Sequence, residues 1–476
     1  MKQYLHSKGP TVVAAFNNIA YAVVSKSLEK SVEGNTFFEE VKIIELFSHV
    51  SQSNDAKEIG EKVEVDNSDK GLSPAMLEQK QKNTIQAVAS HWDPEKGLFY
   101  YAVSRYDKSL SIYSISKESI KHSETSPSTQ DGRILKIEPA TVYKTNKRSC
   151  SLVFAQIPSE KSDNQPTTVI IAGDLNGDAT AYVVEMNKET DKMSCRVLLS
   201  HTASMLTKIE IVEDGKQCTK ILTADRDEKV RVSSFPDCYN VEGYLLGHTS
   251  YVSDVKFVKN CPSGPKYVTC SGDGIIRLFD YKKMRELSKL SVPADYDSKS
   301  TGVNDANNTS SPVPIRLAIN NSGTIAAVAY DSFNSVQLFS ITSGDTATFK
   351  LVQNIDCQSS PLGITFNEDD SLSILTAEPN IIRLFHGRNG LFTKVEDQLS
   401  IALEFIMQGV KVAMPASLLE TDKHTGKVKL NKKVNKGDEK FVNNKPWLKR
   451  ERVEIYKKGV QRRKQRKLEK ENESKD

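Results

Sequence analysis

The chain has 476 residues, 26% of them charged and 38% hydrophobic, with 65 Lys+Arg against 61 Asp+Glu. That length suits one large repeat architecture or several ordinary domains. A net charge of only +4 excludes a polybasic nucleic-acid coat spread over the whole molecule. From the N-terminus, the apolar stretch Val12 to Val24 is broken by Asn17-Asn18 and carries no small-residue cleavage signature. It predicts two strands, Thr11–Phe16 and Ile19–Val24, joined by an Asn-Asn turn. No later run approaches the ~20 apolar residues of a membrane-spanning helix.

Short alternating runs then recur, each an apolar-x-apolar strand usually closed by an aromatic. They are Val41–Phe47, Leu110–Tyr113, Ala179–Tyr182, Val230–Ser233, Ile276–Phe279, Val336–Phe339 and Ile382–Phe385. Six follow a polar turn, such as Asp174-Leu-Asn-Gly-Asp or Gly272-Asp-Gly. Spacings of roughly 40–70 residues suit a four-stranded propeller blade with loop insertions. The stretches 51–82, 122–131, 159–166 and 294–311 are polar and poor in large apolar residues, so they read as disordered inter-strand loops.

The fifth run sits in the best-preserved unit: Leu246-Gly-His-Thr-Ser-Tyr-Val-Ser-Asp-Val-Lys-Phe257, then Tyr267-Val-Thr-Cys-Ser-Gly-Asp-Gly-Ile-Ile-Arg-Leu-Phe-Asp280. This unit resembles a WD repeat, with Phe279 in place of the usual Trp. In such a repeat His248, Ser271 and Asp273 share a buried hydrogen-bond network. His201 takes the blade-corner position in the fourth unit, in a Ser-His rather than a Gly-His pair. The expectation is an all-β, seven-bladed WD-repeat propeller over 1–415, a linker over 416–444 and a basic, helix-forming tail over 445–476. Residues 445–470 hold 12 Lys/Arg and 3 Asp/Glu, a local +9 that leaves the remainder at −5. Lys449, Arg450, Lys457, Lys458, Arg462, Arg463 and Lys464 are its candidate nucleic-acid contacts, and Arg462–Lys467 reads as a nuclear import signal or a solvated basic face.

Catalytic motifs are missing. The sequence has no Walker loop, no His-Glu-x-x-His, no Gly-x-Ser-x-Gly and no Gly-x-Gly-x-x-Gly opening a helix. The seven scattered cysteines form no Cys-x-x-Cys, so neither a metal site nor a disulfide framework is expected. These absences favour a binding platform over a propeller enzyme. The outstanding segment is Ile221-Leu-Thr-Ala-Asp-Arg-Asp-Glu-Lys-Val-Arg-Val-Ser233, with five consecutive charged residues from Asp225 to Lys229. One reading is an ordinary solvated turn, with Asp227 as the buried turn aspartate equivalent to Asp273 and Arg231 a sheet-face arginine equivalent to Arg277. The other is a partner contact.

Together with Ser200-His-Thr-Ala-Ser-Met-Leu-Thr207 before it and Ser233-Ser-Phe-Pro-Asp-Cys238 after it, this segment resembles the non-catalytic WD-repeat subunit of the eukaryotic tRNA (guanine-N7)-methyltransferase, its fungal members in particular. The resemblance covers roughly residues 201–281. It implies a non-enzymatic chain, without cofactor, located in the nucleus or also the cytoplasm, that pairs with a separate S-adenosylmethionine-dependent subunit to methylate N7 of guanosine 46 in the tRNA variable loop. It also implies that Asp227, Lys229 and Arg231 face that partner as a heterodimer interface. A generic nuclear scaffold, in ribosome biogenesis or as a ubiquitin-ligase adaptor, is the alternative.

Overall fold

A computed structural model describes residues 5–7, 11–16, 19–27, 38–48, 84–122, 134–158, 166–184, 195–202, 204–214, 217–291, 312–331, 333–342, 348–357, 359–377, 381–386, 391–394, 419–421 and 428–430. Alternating apolar residues make these segments strands, and the strands assemble into an all-β WD-type propeller. Where the sequence predicts seven equivalent blades, the described residues build six four-stranded antiparallel ones, which we number as the second to seventh sheets in chain order. The first sheet is different: it has five strands, Leu5–Ser7, Thr11–Phe16, Ile19–Ser27, Phe38–Ser48 and Ile134–Lys136. The last of these pairs in parallel with Phe38–Ser48 and comes from an insertion in the second sheet.

The first sheet departs from the blade pattern through this added parallel strand, and its run in the sequence is out of register with the others. Six of the seven sequence runs fall on the third strand of their sheet, whereas Val41–Phe47 lies on a fourth strand. The hairpin of Thr11–Phe16 with the strand starting at Ile19 forms as expected, with Phe16 opposite Ile19. A six-residue helix, Lys117–His122, precedes the loop expected from His122. The loops expected over 51–82 and 294–311, the rest of 122–131, and the whole tail lie outside the described residues. Within the stretch read as a linker, Leu419–Thr421 pairs with Val428–Leu430.

The core lies between successive sheets. Between the fourth and fifth, Val212, Leu222, Ala224, Val230, Val232 and Leu245 meet Val252, Val255, Tyr267 and Phe279. Burying such side chains is the main drive for stacking one sheet on the next. Charges stitch the innermost strands together as well. Lys256 Nζ lies 3.0 Å from Glu210 Oε2 and Lys208 Nζ 3.7 Å from Asp254 Oδ1, while Asp254 Oδ2 accepts the Leu317 amide of the sixth sheet.

Strand Leu5–Ser7 packs against both Pro361–Phe366 of the seventh sheet and Ile85–Asp93 of the second, so the first sheet closes the ring. The seam is tight at Gly363, where an added Cβ would sit 2.8 Å from Leu5 Cβ. Gly363→Ala is therefore expected to destabilise the chain by about 1–3 kcal/mol through overpacking. Urea denaturation checks this, and an unchanged midpoint would exclude overpacking at the seam.

Candidate protein-interaction site

The second, third, fourth and fifth sheets share one turn between their second and third strands. Its flanking pairs are Ser104–Leu110, Gly173–Ala179, Ala224–Val230 and Cys270–Ile276. In each turn the fourth intervening residue has a left-handed backbone: Lys108, Gly177, Glu228 and Gly274, with φ of 69°, 101°, 76° and 79°. The turn's own amides then need an acceptor, because a buried N–H without one is costly.

Two solutions occur. In the third and fourth sheets the first turn residue supplies the carboxylate. Asp174 Oδ1 accepts the amides of Asn176 and Asp178 at 2.8 and 3.1 Å, and Asp225 Oδ1 those of Asp227 and Lys229 at 2.9 and 3.1 Å. In the second and fifth sheets the third turn residue does so, with Asp107 capping Ser109 and Asp273 capping Ile275.

The fifth sheet shows what the third-position aspartate achieves. Asp273 Oδ2 lies 3.1 Å from His248 Nδ1, accepts the Thr249 amide at 3.1 Å, and accepts from Arg277 Nη1 at 2.8 Å. His248 Nε2 meets Thr269 Oγ1 at 2.7 Å, and Ser271 Oγ accepts the Asp273 amide. Arg277 also donates from Nε to Glu286 Oε2 at 2.9 Å. Its guanidinium thus has two acids. Burial pushes the Asp273 carboxyl up, but His248, the Thr249 amide and Arg277 outweigh it and hold the group below the ordinary carboxylate range. Burial also holds His248 below its ordinary value, against the opposing pull of Asp273.

The fourth sheet differs at both acids. His201 is buried, with Nδ1 2.9 Å from Asp225 Oδ2 and Nε2 2.7 Å from Thr223 Oγ1. The expectation that Asp227 is the buried turn aspartate is therefore corrected: Asp225 takes that place, and the Asp227 side chain is 51% exposed, bonded to Arg226. Lys229 is exposed as well. Opposite the third strand, Val241 pairs with Ser233 as Glu286 pairs with Phe279, after the same one-residue bulge. Arg231, the counterpart of Arg277, thus faces neither acid. Its Nε is buried and has no hydrogen-bond partner among the described residues.

The outer strand beside Arg231 exposes large apolar side chains. Tyr244, directly across from the arginine, is 43% exposed and Leu246 57%. Val241 on the same strand, Tyr239 in the turn before it and Val197 on the outer strand of the third sheet are exposed as well. Large exposed side chains of this kind mark contact surfaces when they cluster. Burial pushes the Cys238 thiol up to about 11 despite Arg196 and Arg231 nearby, so it is an inert packing group.

Residues 164–383, which contain this turn and its neighbours, match the family model described as the tRNA methyltransferase TRM82 WD40 domain. The match to that family model is confined to this stretch, a little under half of the chain. A Danio rerio protein named tRNA (guanine-N(7)-)-methyltransferase non-catalytic subunit wdr4 is 29% identical over 230 residues, 48% of this chain and 49% of its own length. A Culex quinquefasciatus protein, non-catalytic subunit wuho, is 25% identical over 385 residues, 79% of this chain and 81% of its own. The chain thus spans about half the length of the first relative. The WD40 propeller domain of Doa1 has a TM-score of 0.47 at 12% identity, covering 81% of this chain and 94% of that one.

Of the residues singled out in sequence, His248, Ser271 and Asp273 come together, His201 joins Asp225 instead, and Arg231 lies beside neither. The seven tail residues from Lys449 to Lys464 lie outside the described residues. Sequence reasoning missed Thr223, Asp225, Thr269 and Glu286. A signal existed for Asp225, which stands where Asp174 stands one repeat earlier.

Asp273 yields a pH prediction. A carboxyl held low in the fold contributes stability that is complete above the unfolded value near ~3.9 and is lost as pH falls below it toward the folded value. Asp273→Asn is expected to lower the urea midpoint at neutral pH and to flatten its decline between about pH 5 and pH 3. An unchanged decline rules out this origin.

Proposed function

We propose that this chain is the non-catalytic subunit that binds and stabilises a separate S-adenosylmethionine-dependent tRNA (guanine-N7)-methyltransferase subunit. The complex forms N7-methylguanosine at position 46 of tRNA, with the cofactor held by the partner. The observation that carries this reading is Arg231: a guanidinium with a buried Nε and no acid partner among the described residues, across from exposed Tyr244 on a strand that also exposes Val241, in a segment that matches the TRM82 family model. A carboxylate from the partner supplies the missing acceptor, with Asp227 and Lys229 flanking it on the same turn. Arginine beside aromatic and aliphatic anchors is the composition of an interface hot spot.

The test is Arg231→Glu. Truncating one member of a desolvated pair costs about 2–5 kcal/mol of binding, and reversal costs more. The heterodimer is expected to weaken accordingly while the melting temperature of the isolated chain stays the same. Arg277→Glu, which strips a satisfied network, is expected to lower the melting temperature instead. Equal effects of both changes on melting and on binding would reject the reading.

The basic tail is assigned to tRNA and to nuclear import. An arm of +9 beside the partner attracts phosphates through long-range fields. If four or five phosphates are contacted, deleting 445–476 reduces the slope of log affinity against log salt by roughly 3–4, at ~0.7–0.9 per contact. Heterodimer formation survives that deletion. An unchanged slope leaves the tail only its import role.

A further inference from the structure

We infer that Asp225 is a positioning residue for the interface: by capping the turn itself it keeps Asp227 out of the sheet interior, and so keeps Arg231 unpaired for a partner. The inference rests on Arg231 being a partner contact and adds how the chain keeps it available.

The argument begins with redundancy. The turn Asp225-Arg-Asp-Glu-Lys229 carries an aspartate at each of the two positions that cap such turns in this ring. Asp174 and Asp225 cap from the first position, Asp107 and Asp273 from the third. Only the fourth sheet's turn has both a first-position and a third-position aspartate, among the four turns of this register.

The two cannot both be buried. His201 offers one nitrogen, Nδ1, toward the turn, because Nε2 is engaged by Thr223. Two carboxylates against one imidazole would also repel at short range in a poorly hydrated site. With Asp225 inside, Asp227 turns outward to Arg226. In the fifth sheet the first position is Ser271, whose Oγ accepts the Asp273 amide but leaves the Ile275 amide and the corner histidine to another acceptor. Asp273 then swings in and binds His248 and Arg277 together. The identity of one residue, aspartate or serine, therefore decides whether the sheet arginine is consumed internally or left available. Val241 stands at the place of Glu286, the second acid that pairs with the arginine in the fifth sheet.

The experiment copies the fifth-sheet turn into the fourth. Asp225→Ser is expected to draw Asp227 inward onto His201 and Arg231, weakening the complex with the methyltransferase subunit by about tenfold or more. Removing Asp227 as well is expected to restore binding, with Asp225→Ser/Asp227→Ala within about threefold of Asp227→Ala alone. Asp225→Asn, which keeps an acceptor in the first position, is expected to bind like the parent chain.

A partner-free readout accompanies the binding series. Arginine-selective 15N labelling of the full chain, assigned with Arg231→Lys, follows solvent exchange of the Arg231 Nε–H. Exchange slows in Asp225→Ser and returns in the double variant. A double variant that binds more weakly than Asp225→Ser, or an Asp225→Ser chain that binds and exchanges like the parent, overturns the inference. If Arg231→Glu itself leaves binding intact, the interface reading fails, whereas the exchange series still decides the role of Asp225.

Discussion

A left-handed residue in each of four inter-strand turns points backbone amides back into the turn, and one carboxylate meets them. Much else on that side of the ring depends on where this carboxylate stands. From the third position it reaches the corner histidine and the sheet arginine together, making a closed ionic network. From the first position it reaches the histidine only. The same backbone therefore supports an inert blade or a blade with an unsatisfied cation, at the cost of exchanging one small side chain. Networks of this kind are stiff when complete and exposed to influence when not.

The fourth sheet can carry an incomplete network because its neighbours brace it. Its apolar face is buried against Val252, Val255, Tyr267 and Phe279, and its innermost strand is held by Glu210 and Lys208 to the next. Lys220 makes a further tie at the opposite end, paired with Glu242 at 2.7 Å and lying 4.4 Å over the Tyr281 ring. A cation left without an acid is tolerable in a sheet whose position is set elsewhere. That separation of holding from offering is what a binding platform requires.

The blade rhythm was legible because it is local: alternation, polar turns and the Gly-His corner are written in adjacent residues. The third strands at Leu110, Ala179, Val230, Ile276, Val336 and Ile382 were found from that pattern alone. Val41–Phe47 shows the same alternation on a fourth strand, because alternation reports a half-buried strand and not its place in a sheet. The parallel strand Ile134–Lys136 was invisible, since nothing in three residues announces a partner so far back in the chain. At the site, spacing correctly placed Arg231 as the equivalent of Arg277 in the neighbouring sheet. It misplaced the buried aspartate because Asp225 and Asp227 both fit known positions, and the choice between them is made by the side chain of a single competing residue. The loss of Glu286's counterpart was hidden by a bulge, which shifts the cross-strand partner without leaving a mark in the sequence.

The parallel strand also bears on biosynthesis. Each of the third to seventh sheets is spelled by one uninterrupted stretch of chain and is available for assembly as soon as that stretch is made. The first is not: its outer strand Phe38–Ser48 keeps a bare edge until Ile134–Lys136 has been synthesised, by which time three strands of the second sheet already exist. An open edge is a template for foreign strands. The first two sheets are thus born as an interlocked pair, and the emerging chain carries its most vulnerable edge at its oldest end.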